Sequence, residues 1–129
     1  NEPVRRLNWS MTIHPRLDTS PENYPSWGPD RAGVTLQNAG DDAHLRVELQ
    51  GLWRLPRSNG IVFSVRAYLI SMRELVTIPK WAARMHRVLK SLHPALADYK
   101  GVSRYRATVA EWLAPYDDGA ATTPGTGPD

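Results

Sequence analysis

The chain contains no cysteine. Disulfides, thiolate nucleophiles, Cys-ligated zinc, iron–sulfur clusters and a thiolate-ligated haem are therefore excluded from it. It has no apolar run long enough to span a bilayer, and no basic segment followed by an apolar one at its start. No membrane association is expected, and a cytoplasmic location is. Basic residues are not clustered either. Sixteen Lys and Arg against thirteen Asp and Glu leave a formal charge of +3, spread along the chain. Nucleic-acid binders more often gather such residues in one stripe, so no nucleic-acid partner is expected. A Gly-rich phosphate loop, a nucleophile elbow and a helical His pair with a helper carboxylate are also missing, which leaves a zinc hydrolase unsupported.

What is present reads as one small globular domain. The 129 residues are 41% hydrophobic and 22% charged, enough for a genuine core. The chain opens on Asn1 and runs straight into a strand-like segment, as a processed chain or a piece of a longer one would. "LNWSMTIH" (Leu7–His14) alternates and predicts a strand. Pro15 to Asp42 is rich in Pro, Gly, Asp and Asn and reads as a long surface loop, with Val34–Gln37 as its one candidate strand. Two further strands, Leu45–Leu55 and Gly60–Ile70, flank a turn in which Asn59 and Gly60 tolerate positive φ.

After the hairpin the period changes. "SMRELVTI" predicts a short helix, and Pro79 starts another at its favoured first-turn position. There Trp81, Met85, Val88, Leu89 and Leu92 recur at three and four and mark a buried face. Pro94 ends or kinks that helix, and Gly101 is placed to cap the next turn. A last helix would bury Val102, Tyr105, Val109, Trp112 and Leu113. Strands first and helices after them indicate an α+β fold: a small antiparallel sheet under C-terminal helices, over residues 1–116. Residues 117–129 have the composition of a disordered tail.

The hairpin carries an alternating polar row. Arg46, Glu48 and Gln50 alternate with Leu45, Val47 and Leu49; Ser64, Arg66 and Tyr68 alternate with Phe63, Val65 and Ala67. A turn centred near Ser58 pairs Glu48 with Tyr68 and Gln50 with Arg66, which places Glu48 within diagonal reach of Arg66. Val47, Leu49, Phe63 and Val65 would then share the face packed under the helices. A polar sheet face ordinarily meets water. The other reading is a site in which Arg46, Arg54 and Arg66 fork onto carboxylates, such as the two propionates of a haem.

"LRVELQGLWRLPRSNGIVFSVRAYL" (Leu45–Leu69) resembles the signature of the haem-dependent oxidative N-demethylase α-subunit family, the dimethylamine monooxygenase type. There an Arg-x-Glu-x-Gln strand leads to Leu-Pro and then to a Phe-x-x-Arg-x-Tyr strand. Here these are Arg46, Glu48, Gln50, Leu55, Pro56, Phe63, Arg66 and Tyr68. "RLNWS" (Arg6–Ser10) is similar to the family's Arg-x-Asn-Trp segment, and "YKG" (Tyr99–Gly101) to a motif near its end. The chain departs from the pattern at Leu49, where the family carries Arg, and it resembles the C-terminal half of a longer protein.

The resemblance implies a PAS-like haem-binding fold, of which this chain supplies part of the sheet and the closing helices. It implies NADPH-driven oxidation of a small secondary amine such as dimethylamine, with dioxygen activated at haem and formaldehyde released. Electrons would come from reductase subunits that carry flavin and an iron–sulfur cluster. We assign the roles within that frame as follows. Glu48 meets the substrate ammonium, Arg66 and Gln50 hold that carboxylate, Tyr68 donates to oxygen or substrate, and Arg46 or Arg54 meets a propionate. His14, His44, His86 and His93 are the nitrogen candidates for an axial ligand, and position singles out none of them. The competing expectation is a non-catalytic PAS-like haem- or small-molecule-binding sensor module.

Overall fold

The computed structural model describes residues 2–122. Three antiparallel strands, β1 (Val4–Ile13), β2 (Ala43–Arg54) and β3 (Ile61–Ser71), form one sheet in the order β1-β2-β3. Six short helices complete an α+β fold: α1 (Tyr24–Trp27), α2 (Ala39–Asp42), α3 (Met72–Leu75), α4 (Pro79–Ser91), α5 (Pro94–Tyr99) and α6 (Arg106–Leu113). The connection from β1 to β2 is more ordered than its composition predicts. One turn of 3-10 helix at Pro21–Asn23 and two at Gly28–Gly33 flank α1. No strand forms at Val34–Gln37. The Asn38 side chain accepts from Thr35 N–H and donates to Gly33 C=O, and these bonds fold the segment into a turn.

The helices start and stop where local chemistry dictates. Ser71 and Glu74 form a reciprocal capping box at α3. Pro79 opens α4 and Pro94 opens α5, both at positions where a missing N–H costs nothing. Gly101 closes α5 with φ +68°, the left-handed conformation that glycine adopts without strain. α4 packs on α6, and their inner faces meet Met11 and Ile13 of β1 in one core with Leu75, Leu89, Val102, Tyr105, Val109 and Leu113. Each fully buried Leu or Val contributes about 1.5–3 kcal/mol. Trp81, expected on the inner face of α4, is 39% exposed; the small Ala82 and Ala83 are buried there instead.

The hairpin register differs from expectation by one residue, and the turn is the cause. Leu55 N–H donates to Gly60 C=O at 2.8 Å and Asn59 N–H to Leu55 C=O at 3.0 Å, so four residues, Pro56–Asn59, form the loop. Asn59 takes the positive φ. Closing on Leu55 and Gly60 sets Glu48 opposite Ala67, Leu49 opposite Arg66 and Gln50 opposite Val65. A shift of one moves every β3 side chain to the other face relative to β2. Phe63 and Val65 therefore do not pack with Val47 and Leu49 under the helices. They lie on the opposite face, 52% and 46% exposed.

Candidate functional site

Alternation on two strands builds a polar row across the sheet. Arg46, Glu48 and Gln50 project from one face of β2, and the β1 register brings Ser10, Asn8 and Arg6 directly opposite them. Arg6 Nε donates to Gln50 Oε1 at 2.5 Å, Gln50 Nε2 donates to Glu48 Oε2 at 2.9 Å, and Arg46 Nε donates to Glu48 Oε1 at 3.1 Å. Arg46 Nη1 also donates to the Leu17 and Arg16 carbonyls, at 2.9 and 3.2 Å. The row is thereby fastened to the segment that follows β1. Gln50 is 5% exposed and the Glu48 side chain 18%.

Electrostatics keep the carboxylate charged. Burial pushes the Glu48 carboxyl upward. Hydrogen bonds from Arg46 and Gln50, the Arg46 charge and a bond to Asn8 outweigh it, and the pKa lies below the usual value. Each carboxylate oxygen already has a protein donor, so a cation arriving at Glu48 competes with Arg46 or Gln50 or adds to them.

Of the residues expected at this site, the structure joins Arg46, Glu48 and Gln50. It separates Arg66 and Tyr68, which lie on the other face with Val47 and Leu49. The Arg66 guanidinium stacks 5.5 Å from the centre of the Tyr68 ring, and the expected diagonal between Glu48 and Arg66 does not form. Arg54 is exposed at the far end of β2 and borders an open groove of about 420 Å³ with Leu52, Trp53 and Ile61. Arg6 and Asn8 were missed as members of the row. Their signal was present, because Arg6, Asn8 and Ser10 alternate as Arg46, Glu48 and Gln50 do, but β1 can be aligned with β2 only once the fold is known.

The family model described as haem-dependent oxidative N-demethylase, alpha subunit-like, matches residues 1–110. The chain belongs to that family. Arg6 and Asn8 thus meet Arg46, Glu48 and Gln50 on one sheet face, while Trp9 points to the other face beside Val47.

The family name indicates haem dependence, and the described residues permit a test of fit. His14 is held near Asp42, His44 Nδ1 lies 2.9 Å from the Asp42 carbonyl, and His93 Nδ1 accepts from Ala95 N–H. His86 borders a hollow of about 290 Å³ with Leu89, Ala107, Ala110 and Ala114, and its Nδ1 lies 2.8 Å from Asp117 Oδ2. Hollows of about 190 to 420 Å³ do not enclose a tetrapyrrole, which belongs toward the upper end of ligand sites of roughly 300–1,000 Å³. These residues by themselves do not fit a haem. Among the described residues no group of His and carboxylates could hold a metal ion, and no helix is long and apolar enough to cross a membrane.

Proposed function

We propose that the chain serves an oxidative N-demethylase acting on a small secondary amine such as dimethylamine, and that Glu48 is its recognition carboxylate for the substrate ammonium. The observation that carries this reading is a sheltered, ionised glutamate held by Arg46 and Gln50, in the segment that resembles the family's signature. A desolvated carboxylate attracts an alkylammonium more strongly than one in water. Arg6 and Asn8 position the row, and Arg66 and Tyr68 act elsewhere. The overall reaction consumes the amine, dioxygen, NADPH and a proton and yields formaldehyde, the primary amine, water and NADP⁺. Its redox chemistry belongs to haem and to flavin and iron–sulfur groups on partner subunits, within a PAS-like assembly in the cytoplasm.

The test is formaldehyde release from dimethylamine and NADPH with the reductase subunits, comparing wild type with Glu48→Gln. This substitution keeps the shape and removes the charge. We expect amine turnover to fall at least tenfold with folding unchanged. Equal turnover would refute the role of Glu48. A second reading, a non-catalytic PAS-like binding module, is favoured by the small hollows. Haem or small-molecule binding without formaldehyde release would establish it.

A further inference from the structure

We propose that the pocket between the end of β1 and the Gly28–Gly33 turn binds a carboxylate that carries a short apolar stem. The pocket has a volume of about 190 Å³. Arg16, Arg31 and Lys100 bring three cations to its wall, and Met11, Ile13 and Trp27 give it an apolar part. Nothing in the amine-recognition reading uses it.

The donors are fixed but incompletely used. Arg16 Nη2 meets Asp30 Oδ2 at 2.9 Å, while Arg16 Nε is buried with no hydrogen-bond partner. Arg31 makes no ion pair among the described residues. Its guanidinium lies 4.9 Å from the centre of the Trp27 ring and 5.9 Å from that of Tyr24. It also lies so close to Gly101 that a Cβ there would come within 2.6 Å of Nη2. The buried Tyr105 hydroxyl, which feels the Arg31 charge, likewise has no partner. Lys100 gives one N–H to the Trp9 carbonyl at 2.7 Å and stacks on the Trp9 ring, keeping two N–H groups in reserve. Buried polar atoms without partners are rare enough to require an explanation, and Arg16 Nε, on the wall of this cationic hollow, is one of them.

The carboxylates nearby do not cancel the charge. Asp30 offsets Arg16, and Glu48 attracts Lys100 without a contact hydrogen bond. One net positive charge or more remains, with donors suited to the planar fork of a carboxylate. The apolar wall favours a hydrocarbon stem over a fully hydrated phosphate. Trp27 is a fixed floor, because its Nε1–H donates to the Ser20 carbonyl at 2.9 Å.

The experiment is a thermal melt of the full chain in butyrate, phosphate and chloride at equal ionic strength, followed by NMR of the Trp27 indole N–H. We expect butyrate to raise the Tm with increasing dose and to shift the Trp27 signal saturably, with phosphate weaker. Loss of one charge-assisted contact in Arg31→Gln should weaken butyrate binding about tenfold or more. Lys100→Gln should do the same and serves if Arg31→Gln does not fold. No butyrate effect beyond chloride, equal binding by both variants, or phosphate as strong as butyrate would each overturn the proposal.

Discussion

Asp117 Oδ2 lies 2.8 Å from His86 Nδ1, and the same carboxylate takes a two-pronged contact from Arg87, Nε to Oδ2 at 2.9 Å and Nη2 to Oδ1 at 2.5 Å. The chain after the last helical turn is thereby tied back to the middle of α4. Asp117, whose composition places it at the start of a disordered tail, makes these contacts; residues 123–129 of that tail lie outside the described residues. Hydrogen bonds from Arg87 and His86 hold the Asp117 carboxyl well below its ordinary range. Its contribution to stability is therefore complete above the unfolded-state value and is lost as pH falls through the lower folded value. Asp117→Asn should lower the Tm at neutral pH, and the gap from wild type should close in strong acid. A constant gap in thermal melts across that range would show the contact to be idle.

The Glu48 row predicts a second acid effect. The Glu48 carboxyl lies below its ordinary 4.5, so the ionised row stabilises the fold above that pH and weakens as pH drops through the folded value. Gln50→Leu removes a donor from Glu48 and an acceptor from Arg6 in a nearly dry place, at a cost of about 1–3 kcal/mol. Urea unfolding at pH 7 measures that cost. The same comparison in acid should give a smaller difference, because protonated Glu48 needs the Gln50 amide less.

Tyr105 makes the opposite prediction at high pH. Burial pushes its phenol up to about 12, against a small lowering by the Arg31 charge. Folded-state pKa above the unfolded value means that this stabilisation is present below about 10 and is lost as pH rises through about 12. An ultraviolet titration should find a late phenol ionisation, near pH 12, that coincides with unfolding. Tyr105→Phe should remove that late step. In the absence of carboxylate ligand it should leave Tm unchanged or slightly higher, since no partner among the described residues loses a bond.

The legible parts of the fold were those governed by local chemistry. Pro79, Gly101 and the alternation of β2 read directly as a helix start, a cap and a two-faced strand. Val102, Tyr105, Val109 and Leu113 are buried as their spacing implied. The illegible parts depend on counting through a turn or on partners distant in sequence. One residue added to the Pro56–Asn59 loop reverses Phe63, Val65, Arg66 and Tyr68. Arg6 and Asn8 of the polar row stand more than thirty positions before Glu48 and Gln50, and no local pattern joins the strands. The order in Pro15–Asp42 was hidden for a similar reason. Its turns are fixed by side chains such as Asn38 and Trp27, in a composition that reads as loop.

The register itself can be tested by paired substitutions on β3. Phe63 lies on the face opposite the helices, at the open end of the sheet, so Phe63→Ser removes an apolar side chain that is already half in water. Its cost should stay within about 1 kcal/mol, as for an exposed position away from core contacts. Ile70 stands opposite Leu45 and packs against the core with Trp9 and Val76. Ile70→Ser removes buried methylenes and inserts a hydroxyl, so it should cost about 2–4 kcal/mol. Denaturant midpoints of the two variants decide between the registers. In the alternative pairing Phe63 belongs with Val47 and Leu49 beneath the helices and Ile70 moves to the polar face, so the loss of Phe63 would exceed that of Ile70. Near-equal midpoints for Phe63→Ser and wild type would leave Glu48 facing Ala67, with Arg66 on the far side of the sheet. A Phe63→Ser protein that unfolds more readily than Ile70→Ser would restore the diagonal from Glu48 to Arg66 and move Arg66 back into the polar row.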